Sequence, residues 1–306
     1  MSQWTVEGPE KITIDEPVTA LHVRIMGGAV NVVASDGPAR LEVTDLEGEP
    51  LLVTLDAGVL TVAYKDLSWA ELGEAVKSVQ TVKLFLGSLR RRRSASVSLA
   101  VPAGTEVRSG SASAETTVSG LTGPVTVHGA SGATTLVGLS GRVQANTVSG
   151  DVDAQSVSGE LRVHTVSGQL TVVAGTADKV QAKTVSGAVT LDLDVQTPTD
   201  IAVTTVSGPV AVRLPSVADA KVEAGTTTGD VSSTFTELTV AGSWGAKRLS
   251  GQLGSGAGRL QVTTVSGPIT VLRRPDTDDD APAKELAPTA DTAAPDTAGP
   301  DLTKEA

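Results

Sequence analysis

Apolar and polar positions alternate along most of this chain, and between residues 143 and 172 the alternation repeats every nine residues. Val143 and Ala145 are followed nine positions later by Val152 and Ala154, with a polar residue inside each pair. Side chains two residues apart lie on the same face of a β-strand, so each unit predicts a short strand with one buried face. A third apolar column, which we also expect to be buried, consists of Val148, Val157 and Val166.

Each unit ends in a Ser-Gly step, and the third column stands three residues after the second, so the chain must turn between them. Glycine tolerates the positive backbone angles that a corner needs, which makes the Ser-Gly steps the predicted corners of the repeat. These corner residues are Ser119, Gly120, Ser149, Gly150, Ser158, Gly159, Ser167, Gly168, Ser186, Gly187, Ser207, Gly208, Ser266 and Gly267. Thr227-Thr228-Gly229 and Leu249-Ser250-Gly251 are degenerate copies of the same phrase.

The repeat predicts an all-β fold, a two-faced β-solenoid similar to a single-stranded β-helix, with Thr-Val-Ser-Gly corners. One short strand cannot bury its apolar face alone, so successive units must stack. Two nine-residue units form one coil of eighteen residues, and later coils lengthen to twenty-one through loops such as 196–200. Aromatic residues make up 2% of the chain and hydrophobic residues 40%, so we expect an aliphatic core.

Four regions follow from the pattern along the chain. They are an N-terminal set of strands with a cap (1–66), a basic amphipathic insertion (67–93), the repeat solenoid (94–274) and a disordered acidic tail (275–306). Within the first region, the segments that alternate as strands do are 11–14, 21–25, 30–33, 41–43 and 51–55. We expect Ile269–Leu272 to be the last strand of the stack, because Arg273-Arg274-Pro275 would stop further pairing.

Residues 67–93 break the strand pattern. Their apolar residues recur at three- and four-residue steps, which is typical of an amphipathic helix, and four consecutive arginines follow. The basic side chains form a candidate interaction patch for an anionic membrane or an acidic partner: Lys77, Lys83, Arg90, Arg91, Arg92 and Arg93. The alternative is an insertion packed across the solenoid, with its arginines merely solvated.

The formal net charge of −11 is unevenly distributed. From Asp276 onward nine acidic residues stand against two lysines, a net −7 in a segment whose composition is typical of disorder. Cysteine is absent, which excludes a disulfide framework and thiolate chemistry. The first residues lack the basic and apolar stretches of a signal peptide, and no segment approaches the ~20 apolar residues of a membrane span. We therefore expect a cytoplasmic protein.

The repeated Thr-Val-Ser-Gly units are accompanied by a closing run, Gly254–Val271, in which a glycine-rich turn leads into one more copy and an apolar strand. With this run the chain resembles the toastrack putative-adhesin family, a domain family of unknown function built on β-strand repeats. The resemblance covers roughly residues 10–272. It implies a single-chain β-solenoid without established catalytic residues, and a link to cell-envelope stress or surface functions. Relatives with such roles carry membrane segments or signals, and this sequence shows neither.

The sequence offers no evident reaction centre. The carboxylates that stacking would bring near one another are Asp151, Asp153, Glu160, Asp192 and Asp194. We interpret them as outward-facing surface charge, since neither an acid–base pair nor a row of sugar-binding aromatic residues is apparent. His22, His128 and His164 are far apart in sequence and lack the paired spacing of a metal site. We therefore expect no catalytic residue, no cofactor and no metal.

Two functional interpretations compete. The first is a non-catalytic scaffold or interaction protein that binds an unknown protein or envelope partner. The second is a polysaccharide-binding or polysaccharide-cleaving β-helix protein, and the low aromatic content favours the first. Rows of corner hydroxyls could order water as ice-binding solenoids do, although we expect them to satisfy backbone groups instead. We expect a monomer without a nucleic-acid partner, and end-to-end assembly stays open.

Overall fold

The computed structural model describes residues 1–64, 93–194, 198–243 and 245–274. Within these residues the chain forms twenty-five β-strands and no helix. The predicted helical insertion, apart from Arg93, and the predicted tail lie outside the described residues.

The strands are short, and most follow one another after brief turns. The first nine are β1 (Ser2–Val6), β2 (Glu10–Ile14), β3 (Ala20–Ile25), β4 (Gly27–Ala34), β5 (Ala39–Glu47), β6 (Leu51–Asp56), β7 (Val59–Tyr64), β8 (Ser94–Val101) and β9 (Glu106–Ser111). The next eight are β10 (Glu115–Ser119), β11 (Val125–Gly129), β12 (Thr134–Val137), β13 (Arg142–Thr147), β14 (Val152–Gln155), β15 (Ser158–Thr165), β16 (Leu170–Lys183) and β17 (Val189–Leu193). The last eight are β18 (Asp200–Ser207), β19 (Val210–Leu214), β20 (Ala220–Thr228), β21 (Val231–Ser233), β22 (Leu238–Ser243), β23 (Ala246–Leu253), β24 (Gly258–Ser266) and β25 (Ile269–Arg273).

The strands form two sheets, and the chain passes back and forth between them. The order in sheet A is β1-β6-β7-β3-β9-β11-β13-β15-β16-β18-β24-β20-β23-β22. The order in sheet B is β2-β5-β8-β4-β10-β12-β14-β16-β17-β19-β25-β21. Strand β16 belongs to both sheets, because its first half pairs with β17 and its second half with β18. The structure confirms the predicted all-β, two-faced solenoid.

The coil length follows the repeat in the sequence. Val125 pairs with Val107 on one side and Val143 on the other, a spacing of eighteen residues each time. Further along, Ile201 pairs with Val180, a spacing of twenty-one residues. Parallel pairing of equivalent positions keeps every apolar column in register, so the columns of both sheets meet in one continuous core. That core is built from Val, Leu, Ile and Ala side chains, as the composition predicts.

The structure corrects the third apolar column at the corners that lead from sheet A to sheet B. There the threonine of Thr-Val-Ser-Gly points inward and the valine outward: Thr165 is buried, whereas Val166 is 44% exposed. The hydroxyl is needed inside because Thr165 Oγ1 accepts a hydrogen bond from the Gly168 N–H at 3.0 Å. Equivalent hydrogen bonds of 3.0 Å join Thr147 to Gly150 and Thr184 to Gly187. Of the predicted column, Val157 is buried and Val148 is only half-buried.

The glycine of each such corner is required by the close approach of successive coils. A Cβ atom on Gly168 would lie 2.0 Å from the carbonyl oxygen of Gly150, and one on Gly187 would lie 1.9 Å from that of Gly168. These three glycines have no positive φ, in contrast to Gly120 and Gly159 at corners that lead from sheet B to sheet A. We call the aligned set the glycine ladder: Gly132, Gly150, Gly168, Gly187, Gly208, Gly267 and Gly229.

The order of coils in the stack departs from the order in the sequence at the C-terminal end. Strand β24 lies between β18 and β20, and β25 lies between β19 and β21. The prediction that Ile269–Leu272 ends the stack is therefore wrong. The end is formed instead by the antiparallel strands β23 and β22, with Phe235 and Leu238 closing the core beneath them. Leu249-Ser250-Gly251 lies inside β23 and is not a corner.

The N-terminal end is capped in a similar way. Antiparallel strands β1, β6 and β7 extend sheet A, and β2, β5 and β8 extend sheet B. The five clearest strand segments expected from the sequence correspond to β2 to β6, and β1 and β7 are further strands of the same region. Doubling back lets the chain cover the first coil with its own strands.

Candidate functional site

The outer face of sheet A carries two adjacent rows of side chains that cross eight strands, from β3 to β24. Each row consists of direct partners in neighbouring strands. The first row is His22, Arg108, Thr126, Gln144, Arg162, Gln181, Ala202 and Gln261, and the second is Arg24, Gly110, His128, Asn146, His164, Lys183, Thr204 and Thr263. We call these sixteen residues the strip. At the usual strand spacing of ~4.8 Å it spans about 34 Å.

The strip contains no acidic residue, although the whole chain carries a net charge of −11. Its charged members are Arg24, Arg108, Arg162 and Lys183. One sign of charge gathered on one face creates a local potential that attracts ions of the opposite sign. The strip is therefore a cationic surface on an acidic protein.

Glutamates that flank the strip hold two of its arginines in place. Arg108 Nη2 lies 2.7 Å from Glu106 Oε1, and Arg162 Nη2 lies 2.6 Å from Glu160 Oε1. Burial alone would raise the pKa of Glu160, but the hydrogen bond from Arg162 and nearby positive charges outweigh it and hold the pKa below its usual value. A guanidinium has five N–H donors, so each arginine keeps donors for a ligand while its direction is fixed.

All three histidines of the chain lie in the strip. Burial lowers the pKa of His22, His128 and His164, and neighbouring Arg or Lys charges lower each of them further. The imidazoles are therefore neutral near pH 7, and acidification adds positive charge to a surface that is already cationic. Asn146 Nδ2 lies 3.5 Å from His128 Nδ1, which places an amide directly beside one imidazole.

At its C-terminal end the strip continues into a groove of about 520 Å³. Its walls include Gln261 and Thr263 of the strip, Glu223 and Gly225 of β20, and Arg248 of β23. The volume lies in the range of known small-molecule sites, roughly 300–1,000 Å³. The groove thus joins the strip to a concave site of ligand size.

The interaction patch predicted from the sequence is described only at Arg93. Lys77, Lys83, Arg90, Arg91 and Arg92 lie outside the described residues. Arg93 Nη2 lies 2.7 Å from Glu49 Oε1, and its guanidinium carbon is 5.5 Å from the centre of the Tyr64 ring. Burial raises the pKa of Tyr64 to about 12. Arg93 thus packs on β7 at the start of β8.

The predicted corner residues lie where the chain passes between the sheets. The Ser-Gly steps at 149, 167, 186, 207 and 266 lead from sheet A to sheet B, and those at 119 and 158 lead from sheet B to sheet A. The hydroxyls of Thr147, Thr165 and Thr184 bond to backbone amides, as the sequence predicts. Those of Thr205 and Thr264, at the later corners, have no hydrogen-bond partner among the described residues.

Of the carboxylates considered from the sequence, Asp192 and Asp194 come together because both pair with Arg274, whereas the others do not converge. Glu160 lies in sheet A, whereas Asp153 lies on β14 in sheet B. Asp151 Oδ1 accepts a hydrogen bond from the Gln169 N–H at 2.8 Å. Asp192 is buried, so its interpretation as outward-facing surface charge was wrong. Within the described residues no three His, Cys, Asp or Glu side chains are grouped as metal ligands would be.

The strip was missed because the histidines were compared by their spacing in sequence. The signal that would have found it is the polar residue between the two apolar columns, taken from every second unit: Gln144, Arg162 and Gln181 are such residues. Alignment of whole coils shows that these positions are basic or neutral. Across the described part of the chain, no helix has the length and apolar character that crossing a membrane requires.

Comparison with known proteins gives one family and several solved structures. The family described as Toastrack DUF4097 matches residues 29–272, which confirms the resemblance seen in the sequence. No curated protein matches the chain. The crystal structure of a putative adhesin from Bacteroides fragilis is 10% identical, with a TM-score of 0.44, and the match covers 89% of this chain and 97% of that one.

Two further crystal structures are similar to the chain at comparable coverage. A putative lipid binding protein from Parabacteroides distasonis is 13% identical with a TM-score of 0.42, and the match covers 88% of this chain and 98% of that one. A putative cell adhesion protein from Clostridium sporogenes is 10% identical with a TM-score of 0.29, and the match covers 87% of this chain and 100% of that one.

Proposed function

We propose that this chain, which belongs to the Toastrack DUF4097 family, is a non-catalytic scaffold that binds an extended acidic polysaccharide along the strip. The observation that carries the proposal is the absence of any carboxylate from sixteen aligned positions of a chain with a net charge of −11. The neighbouring row on the same face, by contrast, contains Glu106, Glu160 and Asp200.

The shape of the strip favours a long ligand. Its rows run across the strands, so a polymer lying along them would meet a new pair of side chains about every 4.8 Å. Side chains presented by paired strands are also better fixed than those on loops, which reduces the entropy lost on binding.

The chemistry of the strip favours a glycan over other polyanions. Its guanidinium and ammonium groups suit carboxylates, and the amides of Gln144, Asn146, Gln181 and Gln261 can both donate to and accept from hydroxyl groups. Single-stranded nucleic acids are bound largely by stacking bases on aromatic side chains, and the strip has no Phe, Tyr or Trp. Most glycoside hydrolases use two carboxyl groups that flank one bond, and Glu160 and Asp153 lie in different sheets.

Binding of a polyuronate to surface-immobilised protein tests the proposal. The double variant Arg162→Gln, Lys183→Gln removes two strip cations, and Lys11→Gln, Arg40→Gln removes two from sheet B. The two double variants are matched, because each removes one cation that forms an ion pair with a glutamate: Arg162 with Glu160, and Lys11 with Glu42. We expect at least about tenfold weaker binding for the strip variant and less than about twofold for the control.

The same measurement has a pH arm. The carboxylates of a polyuronate stay ionised at any pH well above about 4, whereas the strip histidines, whose pKa values lie below the usual 6.5, take up protons as the pH falls below that value, so affinity should rise on acidification. The triple variant His22→Gln, His128→Gln, His164→Gln should flatten that rise.

Equal loss of binding in both double variants would assign the binding to overall charge and overturn the strip as the site. Tighter binding of polyglutamate or single-stranded DNA than of polyuronate would overturn the ligand class.

A further inference from the structure

We propose that the groove at the end of the strip is a binding site for a single sugar-acid unit, the terminal unit of the acidic polysaccharide. The identity of the polymer rests on the proposed function, whereas the site itself rests on its own geometry. The arguments are the space around one arginine, a glycine that the backbone does not need, and the mixed charge of the walls.

Space in the groove is created around Arg248. Arg248 is the direct partner of Gly225 in β20 and of Ala241 in β22, so both neighbours across the sheet are small. One strand further, Gly225 is the partner of Thr263 at the end of the strip. The guanidinium therefore projects from a floor of small residues, with room beside it for a ring.

Gly225 has no structural reason to be glycine among its described surroundings. It lies in the interior of β20, where glycine weakens a strand because it adds backbone entropy to the unfolded chain and offers no side chain to pack. Its φ is not positive. A Cβ atom there would meet only the Lys247 carbonyl oxygen, at 3.9 Å, which is an ordinary contact. A glycine at such a position is typical of a site that a ligand approaches closely.

The groups on the walls fit a ligand with one negative charge and several hydroxyls. Within the described residues, no ion pair or hydrogen bond engages the side chain of Arg248, which leaves its fork of donors for a carboxylate. Glu223 stands on the neighbouring row and can accept hydrogen bonds from hydroxyl groups. Gln261 can both donate and accept. The Glu223 carboxylate repels any anion, but a sugar acid carries a single charge and its hydroxyl groups can donate hydrogen bonds to Glu223, which favours it over the more highly charged inorganic phosphate.

The groove continues the strip without a gap. Gln261 and Thr263 are the last residues of the two strip rows, and they also line the groove. The next residues of those rows are Glu223 and Gly225, where the rows first meet a carboxylate and a concavity. A chain lying on the strip would therefore bring its end unit into the groove.

Titration of full-length protein with galacturonate, followed by ligand-observed NMR, tests the site. Gly225→Val fills the floor and Arg248→Gln removes the charge. Ala211→Val places a valine on the outer face of sheet B, away from both the strip and the groove, and is the control. We expect weak binding that Gly225→Val and Arg248→Gln each reduce by at least about tenfold, while Ala211→Val stays within about twofold. Galactose, alanine and inorganic phosphate are the comparison ligands, and each should bind at least about tenfold more weakly than galacturonate.

The outcomes separate this inference from the proposed function. If polyuronate binds the strip but galacturonate binds nowhere, or binds all variants equally, the groove assignment is overturned and the scaffold proposal stands. If galacturonate binds the groove but polyuronate ignores the strip cations, the groove assignment stands and the scaffold proposal falls. Tighter binding of alanine or phosphate than of galacturonate overturns the assigned ligand class. Arg248→Gln keeps the test decisive if Gly225→Val fails to fold.

Discussion

At the scale of single residues, each position of Thr-Val-Ser-Gly has a separate physical task. Taking the copy at 165–168, Thr165 turns its hydroxyl inward to bind the corner amide, and Val166 faces the solvent. Gly168 lets the next coil approach to a distance that any Cβ atom would prevent. The corners that begin at Thr147 and Thr184 have the same threonine hydrogen bond and the same close approach at glycine.

Substitution of the first two residues of this corner, one at a time, gives a prediction. Thr165→Val keeps the shape of the side chain but leaves the buried Gly168 N–H without its acceptor, so we expect a loss of about 1–3 kcal/mol in the free energy of unfolding. Val166→Thr alters an exposed neighbour in the same corner and should change it by less than about 0.5 kcal/mol. Urea unfolding measures both. Equal effects of the two substitutions would contradict the assigned roles.

At the scale of elements, one buried carboxylate ties together three adjacent strands of sheet B. Asp192 at the end of β17 forms ion pairs with Arg213 of β19 and with Arg274, which follows β25; Arg274 Nη2 lies 2.5 Å from Asp192 Oδ1. The hydrogen bond from Arg213 is the largest of the effects that hold the pKa of Asp192 below its usual value. The hydrogen bond from Arg274 lowers the pKa further, and burial acts in the opposite direction. The network ties the end of β25 to β19 and β17.

The depressed pKa of Asp192 fixes the sign of a pH dependence. Its stabilising effect is complete above the pKa of an unfolded Asp, about 3.9, and is lost as the pH falls through the lower folded value. Asp192→Asn should therefore lower the free energy of unfolding by roughly 1.5–3 kcal/mol at pH 7, and the difference from the natural chain should shrink below about pH 4.

A suitable control for this network is Asp153→Asn, a change at an exposed position of β14. It should cost less than about 0.5 kcal/mol at either pH. Denaturant titrations at pH 7 and in acid provide the measurement. A pH-independent cost at Asp192 would rule out the ion pairs as its cause.

At the scale of the whole molecule, the last coil in the sequence is an interior coil of the stack. β24 and β25 fill a place that the chain left open when it passed from β19 to β20. Strands β18, β19, β20 and β21 therefore complete their pairing only after the final strands are present. The C-terminal third depends on contacts that are distant in sequence.

Truncation tests this dependence. A chain that ends at residue 257 lacks β24 and β25, and we expect β18 to β23 to lose most of their amide protection in hydrogen exchange, because both sides of the missing coil are exposed. A chain that begins at residue 8 lacks only the edge strand β1 and should lose protection locally, in β6. A chain that ends at residue 275 separates the effect of the tail. Protection of β20 to β23 in the first truncation would show that they fold without the closing coil.

Much of the fold followed from the sequence, because two-residue alternation and an eighteen-residue period specify paired strands in coils. The inward turn of Thr165 was missed, since hydropathy ranks valine above threonine and ignores the amide of Gly168 that must be satisfied. The interior place of β25 was missed because order in the chain carries no information about insertion into a stack. The strip and the groove depend on alignment of whole coils, and Arg248 reaches its place through an antiparallel strand outside the repeat.

The glycine ladder has a consequence for how such a molecule can change its length. Removing residues 150–167 would bring Gly168 directly above Gly132, the same relation that Gly150 has now, because equivalent rungs are eighteen residues apart. Deleting nine residues would instead send every later strand to the wrong sheet. Insertions and deletions that preserve the fold in the eighteen-residue region should therefore add or remove complete coils. Relatives of different size should differ in length by a whole number of coils.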